Sequence, residues 1–146
     1  MAHVQGVEYP EHLYYDIDNQ IWYAPLPDGT LRVGFTPISM ELAGDILVFN
    51  AKRIGREFEP KKWFAMIEGG KWVGAAIAAF NGTVVAANEE LERRPKLLNQ
   101  DPFGEGWMLI VRPSDADWQA NLVTGADVGP AFAAWLASGA YKDRTG

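Results

Sequence analysis

Two turn signals inside one long apolar stretch constrain the fold more than any other feature of the chain. Gly69-Gly70 and Asn81-Gly82 each interrupt a run of apolar residues. Glycine adopts the positive φ that tight hairpin turns require, so both dipeptides predict hairpins. The three strands that they delimit are predicted at 63–68, 72–79 and 83–87. Lys71 would then lie at the tip of the first hairpin, open to solvent and to the active site of another protein.

The segments on either side of this stretch are predicted to be short strands joined by turns. Asp18-Asn19 and residues 25–29 mark turns, and residues 51–58 are expected to form a loop. The strands predicted there are rich in β-branched and aromatic residues, and lie near 9–15, 21–24, 30–35, 45–50 and 107–112. About seven or eight short strands with two or three short helices predict a mainly β fold, a small antiparallel sandwich or barrel.

Helices are predicted where a capping residue precedes a run without breakers. Thr36 predicts a helix over 38–43, and Asn88 predicts another that begins with two glutamates. Two more helices are expected in the C-terminal part, at about 115–121 and 131–138. The last one carries an apolar stripe at helical spacing, made of Phe132, Trp135 and Leu136. The stripe predicts packing against the β core, with binding of a partner as the alternative.

Composition restricts the classes of function. The chain of 146 residues is one domain in length, and its net charge of −6 argues against binding of nucleic acid, which requires a basic face. It contains no cysteine and two histidines, which argues against thiol chemistry by its own side chains and against a catalytic transition-metal site. No stretch suits a membrane span, and the N-terminus lacks a secretory signal, so a cytoplasmic location is predicted. His3 is expected in a disordered tail.

Several short motifs occur in a fixed order along residues 9–112. They are Glu11-His12-Leu13-Tyr14, Val33-Gly34-Phe35-Thr36, Leu42-Ala43-Gly44-Asp45-Ile46, Glu68-x-x-Lys71 with Gly82 eleven residues after the lysine, and Asn99-Gln100-Asp101-Pro102-Phe103-Gly104-Glu105-Gly106-Trp107. In order and spacing they resemble the glycine cleavage system H proteins, and the resemblance covers most of the chain.

This resemblance implies a fold, a cofactor and partners. The fold is the hybrid barrel-sandwich of lipoyl carriers, with residues 1–146 as a single domain and 113–146 as a helical extension packed on it. Lipoate would be joined by an amide to Lys71, so that the protein is a carrier rather than an enzyme and the cofactor supplies the reactivity. The resemblance also implies a monomer that a lipoate ligase or lipoyl-assembly enzymes modify.

Three further residues match positions of the family, and each has a purely structural alternative. Glu68 and Gly82 match positions that the modifying ligases read, and His12 matches a histidine near the lipoyl arm. The structural alternatives are a solubilising acid for Glu68, a glycine required by the turn for Gly82 and a hydrogen-bonded turn residue for His12. Lys71 itself has the alternative of a solubilising charge, but its spacing to the other motifs favours lipoylation.

The residues around the lysine depart from the usual H-protein pattern. Gly70 precedes it, Trp72 follows it, and Gly74-Ala75 replaces a Ser-Asp pair. In this respect the chain is more similar to the lipoate-binding proteins of the heterodisulfide-reductase-like pathway of sulfur oxidation. That resemblance implies that dihydrolipoyl thiols on Lys71 carry sulfur to a heterodisulfide-reductase-like complex, which would dock on a flatter, more apolar face formed by Trp72 and the small residues behind it.

Two other functions remain open at this point. One is the H protein of the glycine cleavage system, which carries an aminomethyl group and would have the glycine cleavage enzymes as its partners. The other is an unlipoylated barrel-sandwich module that acts as a scaffold or binds a small ligand. The second predicts that loss of Lys71 leaves function intact, whereas both lipoyl carriers require the lysine.

Overall fold

The computed structural model describes residues 2–4 and 6–139. Within that part the chain forms eleven strands, four α-helices and a 3₁₀ turn. The strands are β1 Ala2–Val4, β2 Val7–Tyr9, β3 Tyr14–Asp16, β4 Ile21–Pro25, β5 Leu31–Phe35, β6 Ile46–Ala51, β7 Glu57–Phe58, β8 Trp63–Gly69, β9 Val73–Ile77, β10 Gly82–Ala87 and β11 Leu109–Pro113. The helices are α1 Pro37–Ala43, α2 Glu89–Arg93, α3 Leu97–Gln100 and α4 Val128–Ser138, and the 3₁₀ turn is Gly125–Asp127.

The strands pair in three antiparallel sheets. β1 and β2 form a small hairpin of their own. A six-stranded sheet has the order β3-β4-β5-β11-β10-β7, and a three-stranded sheet has the order β6-β8-β9. The mainly β fold with a few short helices and a C-terminal helix is confirmed, and the arrangement of the two larger sheets fits a barrel-sandwich.

The main core lies between the two larger sheets. Val33 and Val111 contribute to it from the six-stranded sheet, and Phe64 and Ile67 contribute from the three-stranded sheet. All four side chains are buried, and from Ala65 to Glu68 buried and exposed residues of β8 alternate as a strand with one solvated face requires. Burial of one face of each sheet is therefore the force that holds the two sheets together.

The helix α4 covers a second group of buried side chains. Phe132 and Trp135 are buried on it, and Leu136 is half-buried. The ring of Phe132 stacks on Tyr9 with a centroid distance of 4.2 Å. The predicted packing of this apolar stripe is confirmed. The helix starts earlier than expected and ends before Gly139, whose φ of 74° suits a residue that follows a helix.

The hairpin predicted at Asn81-Gly82 is wrong. The strand before this dipeptide, β9, pairs with β8, whereas the strand after it, β10, pairs with β7 and β11 in the other sheet. The chain crosses between the sheets because Phe80 is buried against Tyr23 and Phe58, with ring centroids 4.9 and 6.1 Å away. The Asp115 carboxylate accepts hydrogen bonds from the backbone and side-chain nitrogens of Asn81 at 3.3 and 3.1 Å, which holds the crossing in place.

The helix predicted at 115–121 is also wrong, because these residues form consecutive turns. Trp118 determines their path: its ring lies edge-on to Tyr14 at 5.0 Å and to Phe80 at 5.9 Å. The free energy gained by packing the Trp118 ring exceeds the small free energy that helical propensity would contribute in this polar segment. Between these turns and α4, Val123 forms a bridge with Tyr15 and the 3₁₀ turn follows, while residues 140–146 are outside the described part of the chain.

Two smaller predictions also need correction. His3 does not lie in a tail but in β1, where it pairs with Glu8 of β2. The loop expected at 51–58 contains the last residue of β6 and the short strand β7, which extends the six-stranded sheet at the edge beside β10. Both differences arise from strand pairing across turns, which short segments show only weakly in their residue pattern.

The Asp16 carboxylate offers a pH-dependent test of the turn between β3 and β4. Burial raises the pKa of Asp16 above its ordinary value, and hydrogen bonds from the side-chain amide and backbone N–H of Asn19, at 2.9 and 3.3 Å, oppose that rise. A native pKa above the unfolded one means that the folded state holds the proton more tightly. Folding stability therefore declines as the pH rises through the interval between the two pKa values.

We expect the substitution Asp16→Asn to flatten this decline. The amide oxygen still accepts a hydrogen bond from the N–H of Asn19, but the side chain has no charge to bury. In urea titrations, the free energy of unfolding of the variant should fall less than that of the wild type as the pH rises from about 4, the ordinary pKa of aspartate. Two pH profiles that differ only by a constant offset would contradict the burial of this charge.

Candidate functional site

The β8–β9 hairpin carries Lys71 next to the end of α1. The backbone N–H of Gly69 donates to the carbonyl of Trp72 at 2.8 Å, which closes a turn with Gly70 and Lys71 as its two inner residues. The side chain of Lys71 is exposed, and within the described part of the chain its amine makes no hydrogen bond or ion pair. The predicted hairpin is thus present, with an accessible lysine in its turn.

The backbone beneath this lysine is anchored to α1 and to the residues that follow it. The N–H of Lys71 donates to the carbonyl of Ala43 at 2.8 Å, and the N–H of Gly70 donates to the carbonyl of Asp45 at 3.0 Å. The last carbonyls of a helix have no hydrogen-bond donors within the helix, and the hairpin turn supplies a donor to one of these carbonyls. The turn is therefore held in position while the side chain of Lys71 projects outward.

Close approach, rather than the geometry of a primed turn, requires the glycine at position 69 beside the lysine turn. Neither Gly69 nor Gly70 has a positive φ, so the conformational reason predicted for them is wrong. A Cβ on Gly69 would lie 2.5 Å from the carbonyl oxygen of Ala43. Gly44 does have a positive φ of 78°, and a Cβ there would lie 3.2 Å from Cγ of Lys71. Small residues let the hairpin turn and the helix end touch.

Asn99 clamps the segment against which the hairpin turn packs. Its side-chain amide donates to the carbonyl of Gly44 at 2.8 Å, and its side-chain oxygen accepts from the N–H of Ile46 at 2.9 Å. Both bonds join α3 to the connection between α1 and β6. Asn99 belongs to the Asn99–Trp107 motif. A residue far from Lys71 in the sequence thus holds the backbone against which the lysine turn packs.

Glu68 lies close to Lys71 on the same hairpin. It is exposed on the outer face of the three-stranded sheet, where it is paired with Val73 of β9 and with Val48 of β6. Both valines are exposed, at 65% and 37%. The outer face of the sheet beside the lysine therefore presents one negative charge between two apolar side chains, an arrangement that another protein can recognise.

The structure does not bring Gly82 to the lysine. Gly82 begins β10, and the whole of β9 separates it from the turn that holds Lys71. It is buried, its φ is not positive, and a Cβ on it would lie 2.7 Å from the carbonyl oxygen of Arg112 and 2.7 Å from the ring of Phe58. The turn requirement proposed for Gly82 is therefore wrong, since the residue is needed for close packing within a sheet.

His12 lies in the exposed turn before β3. The cleft beside Lys71 has a volume of about 860 Å³ and is lined by the β1–β2 hairpin, α1 and α4. Lys71 lines this cleft, and so do His3 and Glu41, whereas His12 does not. Neither polar residue was predicted to lie at a functional site. The alternation of apolar and polar residues on both sides of Gly6 could have indicated the N-terminal hairpin that carries His3.

Three buried tyrosines in the described chain have structural roles. Burial raises the pKa of Tyr9, Tyr15 and Tyr23, which keeps these core hydroxyls protonated. Residues 2–4 and 6–139 contain no group of three or more histidine, aspartate or glutamate side chains placed to hold a metal ion. In the same part of the chain, no helix has both the length and the apolar character that a membrane crossing requires.

Comparisons with known proteins agree on one family. The family model described as glycine cleavage H-protein matches residues 13–132. The glycine cleavage system H protein 2 of Aquifex aeolicus is 40% identical over 124 residues, which cover 84% of this chain and 77% of that protein. The chain belongs to the glycine cleavage H-protein family. H-proteins carry lipoate covalently on a lysine, and they are carriers rather than enzymes.

Two other comparisons extend this result to an archaeal relative and to a solved structure. The probable glycine cleavage system H protein 2 of Sulfurisphaera tokodaii is 34% identical over 128 residues, with 86% of each chain covered. The crystal structure of a glycine cleavage system H protein from Mycobacterium marinum is similar to this chain with a TM-score of 0.73 and 27% sequence identity. The similarity covers 84% of this chain and 97% of the other.

Trp72 is the most conspicuous departure from the usual H-protein pattern. Its half-buried ring lies over Gly74, where a Cβ would overlap the ring, and edge-on to Phe35 with a centroid distance of 6.2 Å. One part of the ring packs against the main core, and the docking face expected of Trp72 and the small residues behind it stays a prediction. The exposed apolar side chain next to the turn is that of Val73.

The packing of Gly82 leads to a stability prediction. We expect Gly82→Ala to lower the free energy of unfolding by about 1–3 kcal/mol, because the new methyl group meets a backbone carbonyl and a buried ring. Chemical denaturation would measure this loss. Gly70→Ala, in the turn between β8 and β9, is the matched control, since a Cβ there meets nothing within 4 Å. We expect it to change stability by less than about 0.5 kcal/mol. Equal effects of the two substitutions would contradict the packing requirement.

Proposed function

We propose that Lys71 is the lipoyl-lysine of this chain, and that residues 1–146 act as one carrier domain of the glycine cleavage system. The observation that carries the proposal is the exposed amine of Lys71 on a turn whose backbone is hydrogen-bonded to Ala43 and Asp45. A group carrier needs this combination, because the arm must reach several active sites while its attachment point keeps a defined position. Family membership supports lipoate as the group attached.

The residues around Lys71 fit such an arm. The side chain has no competing ion pair among the described residues, so formation of an amide, which removes its charge, breaks no stabilising contact. Glu68 stands exposed near the lysine, where a modifying ligase can read it. A bound lipoyl group supplies a dithiolane that opens to two thiols, and the chain itself, without cysteine, supplies none that would compete.

The cleft beside the lysine suits a long, largely apolar arm. Lys71 forms part of its wall, and Ile38, Leu42 and Leu136 give it apolar lining. Glu41 and His3 add polar groups at the same cleft. An arm that starts from Lys71 therefore has an apolar surface within immediate reach, with an acid and an imidazole near it. Gly82 and His12 do not line this cleft, and we assign them structural roles.

Glycine cleavage is the function that the relatives favour, with an aminomethyl group as cargo and the glycine cleavage enzymes and a lipoate ligase as partners. A second candidate is sulfur transfer to a heterodisulfide-reductase-like complex. The observation in its favour is the Trp72–Gly74 pair, whose ring-over-glycine packing replaces the polar residues expected after the lysine. For either function we infer a cytoplasmic monomer, since the carrier must meet its ligase and enzymes.

The attachment site is tested by intact mass and peptide mapping of the protein isolated from cells that synthesise lipoate. We expect one lipoyl adduct, confined to Lys71, and none in Lys71→Arg. Because the side chain is exposed, Lys71→Arg should change the free energy of unfolding by less than about 0.5 kcal/mol. Lys62→Arg is the control, because Lys62 is an exposed lysine just before β8. This variant should be lipoylated at Lys71 like the wild type. An unmodified wild-type protein, or an adduct at another lysine, would refute the proposal.

The cargo is tested with the lipoylated protein. Incubation with glycine and the glycine-decarboxylating enzyme should add an aminomethyl group to the arm, visible as a mass increase that Lys71→Arg lacks. A parallel incubation uses thiosulfate and a heterodisulfide-reductase-like complex. A sulfur adduct in the second reaction, without an aminomethyl adduct in the first, would replace glycine cleavage by the second candidate. Both reactions detect a group bound to the arm, so an adduct in neither would leave the unlipoylated module, whose function survives Lys71→Arg, as the remaining alternative.

A further inference from the structure

Positive charge is concentrated at one place on this acidic chain. Of the thirteen lysine and arginine residues, five lie in the connection between β6 and β8, which also contains two glutamates. This segment, residues 52–62, therefore carries +3 in a chain of net charge −6, and the remainder of the chain carries −9. We call it the basic connection. Its cations are Lys52, Arg53, Arg56, Lys61 and Lys62.

The first half of the basic connection is a rigid turn that displays an apolar side chain between two arginines. The N–H of Arg56 donates to the carbonyl of Arg53 at 3.1 Å, and Gly55 has the positive φ, 88°, that a type II turn requires at its third residue. The N–H of Gly55 is bonded to Val84 of β10 at 2.8 Å. Ile54, at the turn tip, is 65% exposed.

The second half of the basic connection is a similar turn, with a lysine at the position that favours glycine. The N–H of Lys62 donates to the carbonyl of Glu59 at 3.2 Å, Pro60 is the second residue of this turn, and Lys61 is the third, with a φ of 71°. Glycine or asparagine is favoured at such a position, and a lysine there strains the backbone. Strained residues of this kind are concentrated at functional sites. A positive charge is thus kept at Lys61 against the local preference.

The two turns lead to an aromatic side chain that is open to solvent. The ammonium group of Lys52 lies 4.7 Å from the centre of the ring of Trp63, which is 43% exposed. Within the described part of the chain, none of the five cations forms an ion pair with a carboxylate. The surface therefore combines cations that lack a carboxylate partner with two exposed apolar side chains, Ile54 and Trp63. Tryptophan and arginine, both present here, are residue types enriched in protein interfaces.

We propose that the basic connection is a docking surface for a second protein with an acidic surface that contains an apolar pocket. The charge opposite to that of the rest of the chain favours an acidic partner and fixes its orientation. Glu57 and Glu59 lie among the cations and would repel a run of phosphates, which argues against nucleic acid and anionic membranes. A second copy of this chain would make a contact between unlike surfaces, which leads to rings or open filaments rather than to a two-fold dimer.

The place of this surface in the fold adds a consequence for the carrier. β8 runs from Trp63 at the basic connection to Gly69 beside the lysine turn. Its seven residues span about 20 Å at ~3.3 Å per residue. A partner bound at the basic connection would thus hold the chain at one end of the hairpin and leave Lys71 accessible at the other. The docking surface does not depend on the modification of Lys71.

The test uses a synthetic 20-residue peptide of aspartate and glutamate with interspersed leucines, titrated into the full chain and followed by amide chemical shifts. We expect shift changes confined to about residues 52–63. The double substitution Arg53→Glu with Arg56→Glu should weaken binding at least about tenfold. Lys96→Glu with Arg112→Glu, which changes the net charge equally at other exposed positions, should weaken it less than about threefold. A version of the peptide with serine in place of leucine should bind more weakly.

Lys61→Gly separates binding from folding. It removes a charge and relieves a strained backbone, so the melting temperature should stay the same or rise while affinity for the peptide falls about threefold. The proposal would be overturned by shifts outside residues 52–63, by equal losses in the two double variants or by unchanged affinity in Lys61→Gly. Tighter binding of a single-stranded oligonucleotide or of anionic vesicles, or self-association in sedimentation that the Arg53→Glu, Arg56→Glu double variant abolishes, would also overturn it.

Discussion

The position of Lys71 depends on two backbone hydrogen bonds between the hairpin turn and the end of α1. The N–H groups of Lys71 and Gly70 donate to the carbonyls of Ala43 and Asp45. Helix ends leave carbonyls without donors, and hairpin turns leave N–H groups without acceptors, so the contact satisfies polar groups on both sides. Gly69 allows the two segments to approach, because any larger residue would meet the Ala43 carbonyl. The attachment point is thus rigid and the lysine side chain is exposed.

The second constraint is the crossing of the chain between sheets after β9. Because Phe80 is buried in the main core, β10 joins the six-stranded sheet, and β6, β8 and β9 remain a separate small sheet. Both ends of that sheet are functional surfaces in our proposals: the lysine turn at one end and the basic connection at the other. A stiff strand between them keeps the two surfaces apart, so that occupation of one does not obstruct the other.

Much of the fold follows from local patterns. Thr36 and Asn88 cap the helices expected of them, with side chains that accept from the N–H groups of Ser39 and Leu91. These predictions succeed because a cap and the hydrogen bond it makes lie within one turn of chain. Predictions that required distant partners failed. The dipeptide Asn81-Gly82 has the composition of a hairpin turn, but burial of an aromatic residue beside it and the pairing of β10 with β11 decide its role.

The sequence by itself determined the mainly β fold, the hairpin with its lysine and the resemblance that points to lipoate, because periodicity and motif spacing are properties of the chain alone. Only the tertiary structure decided what surrounds the lysine. It placed His3 and Glu41 at the cleft, moved His12 and Gly82 away from it and folded Trp72 onto the core. Such contacts join segments far apart in the chain, and the free energy that selects them comes from burial and hydrogen bonds that no local pattern records.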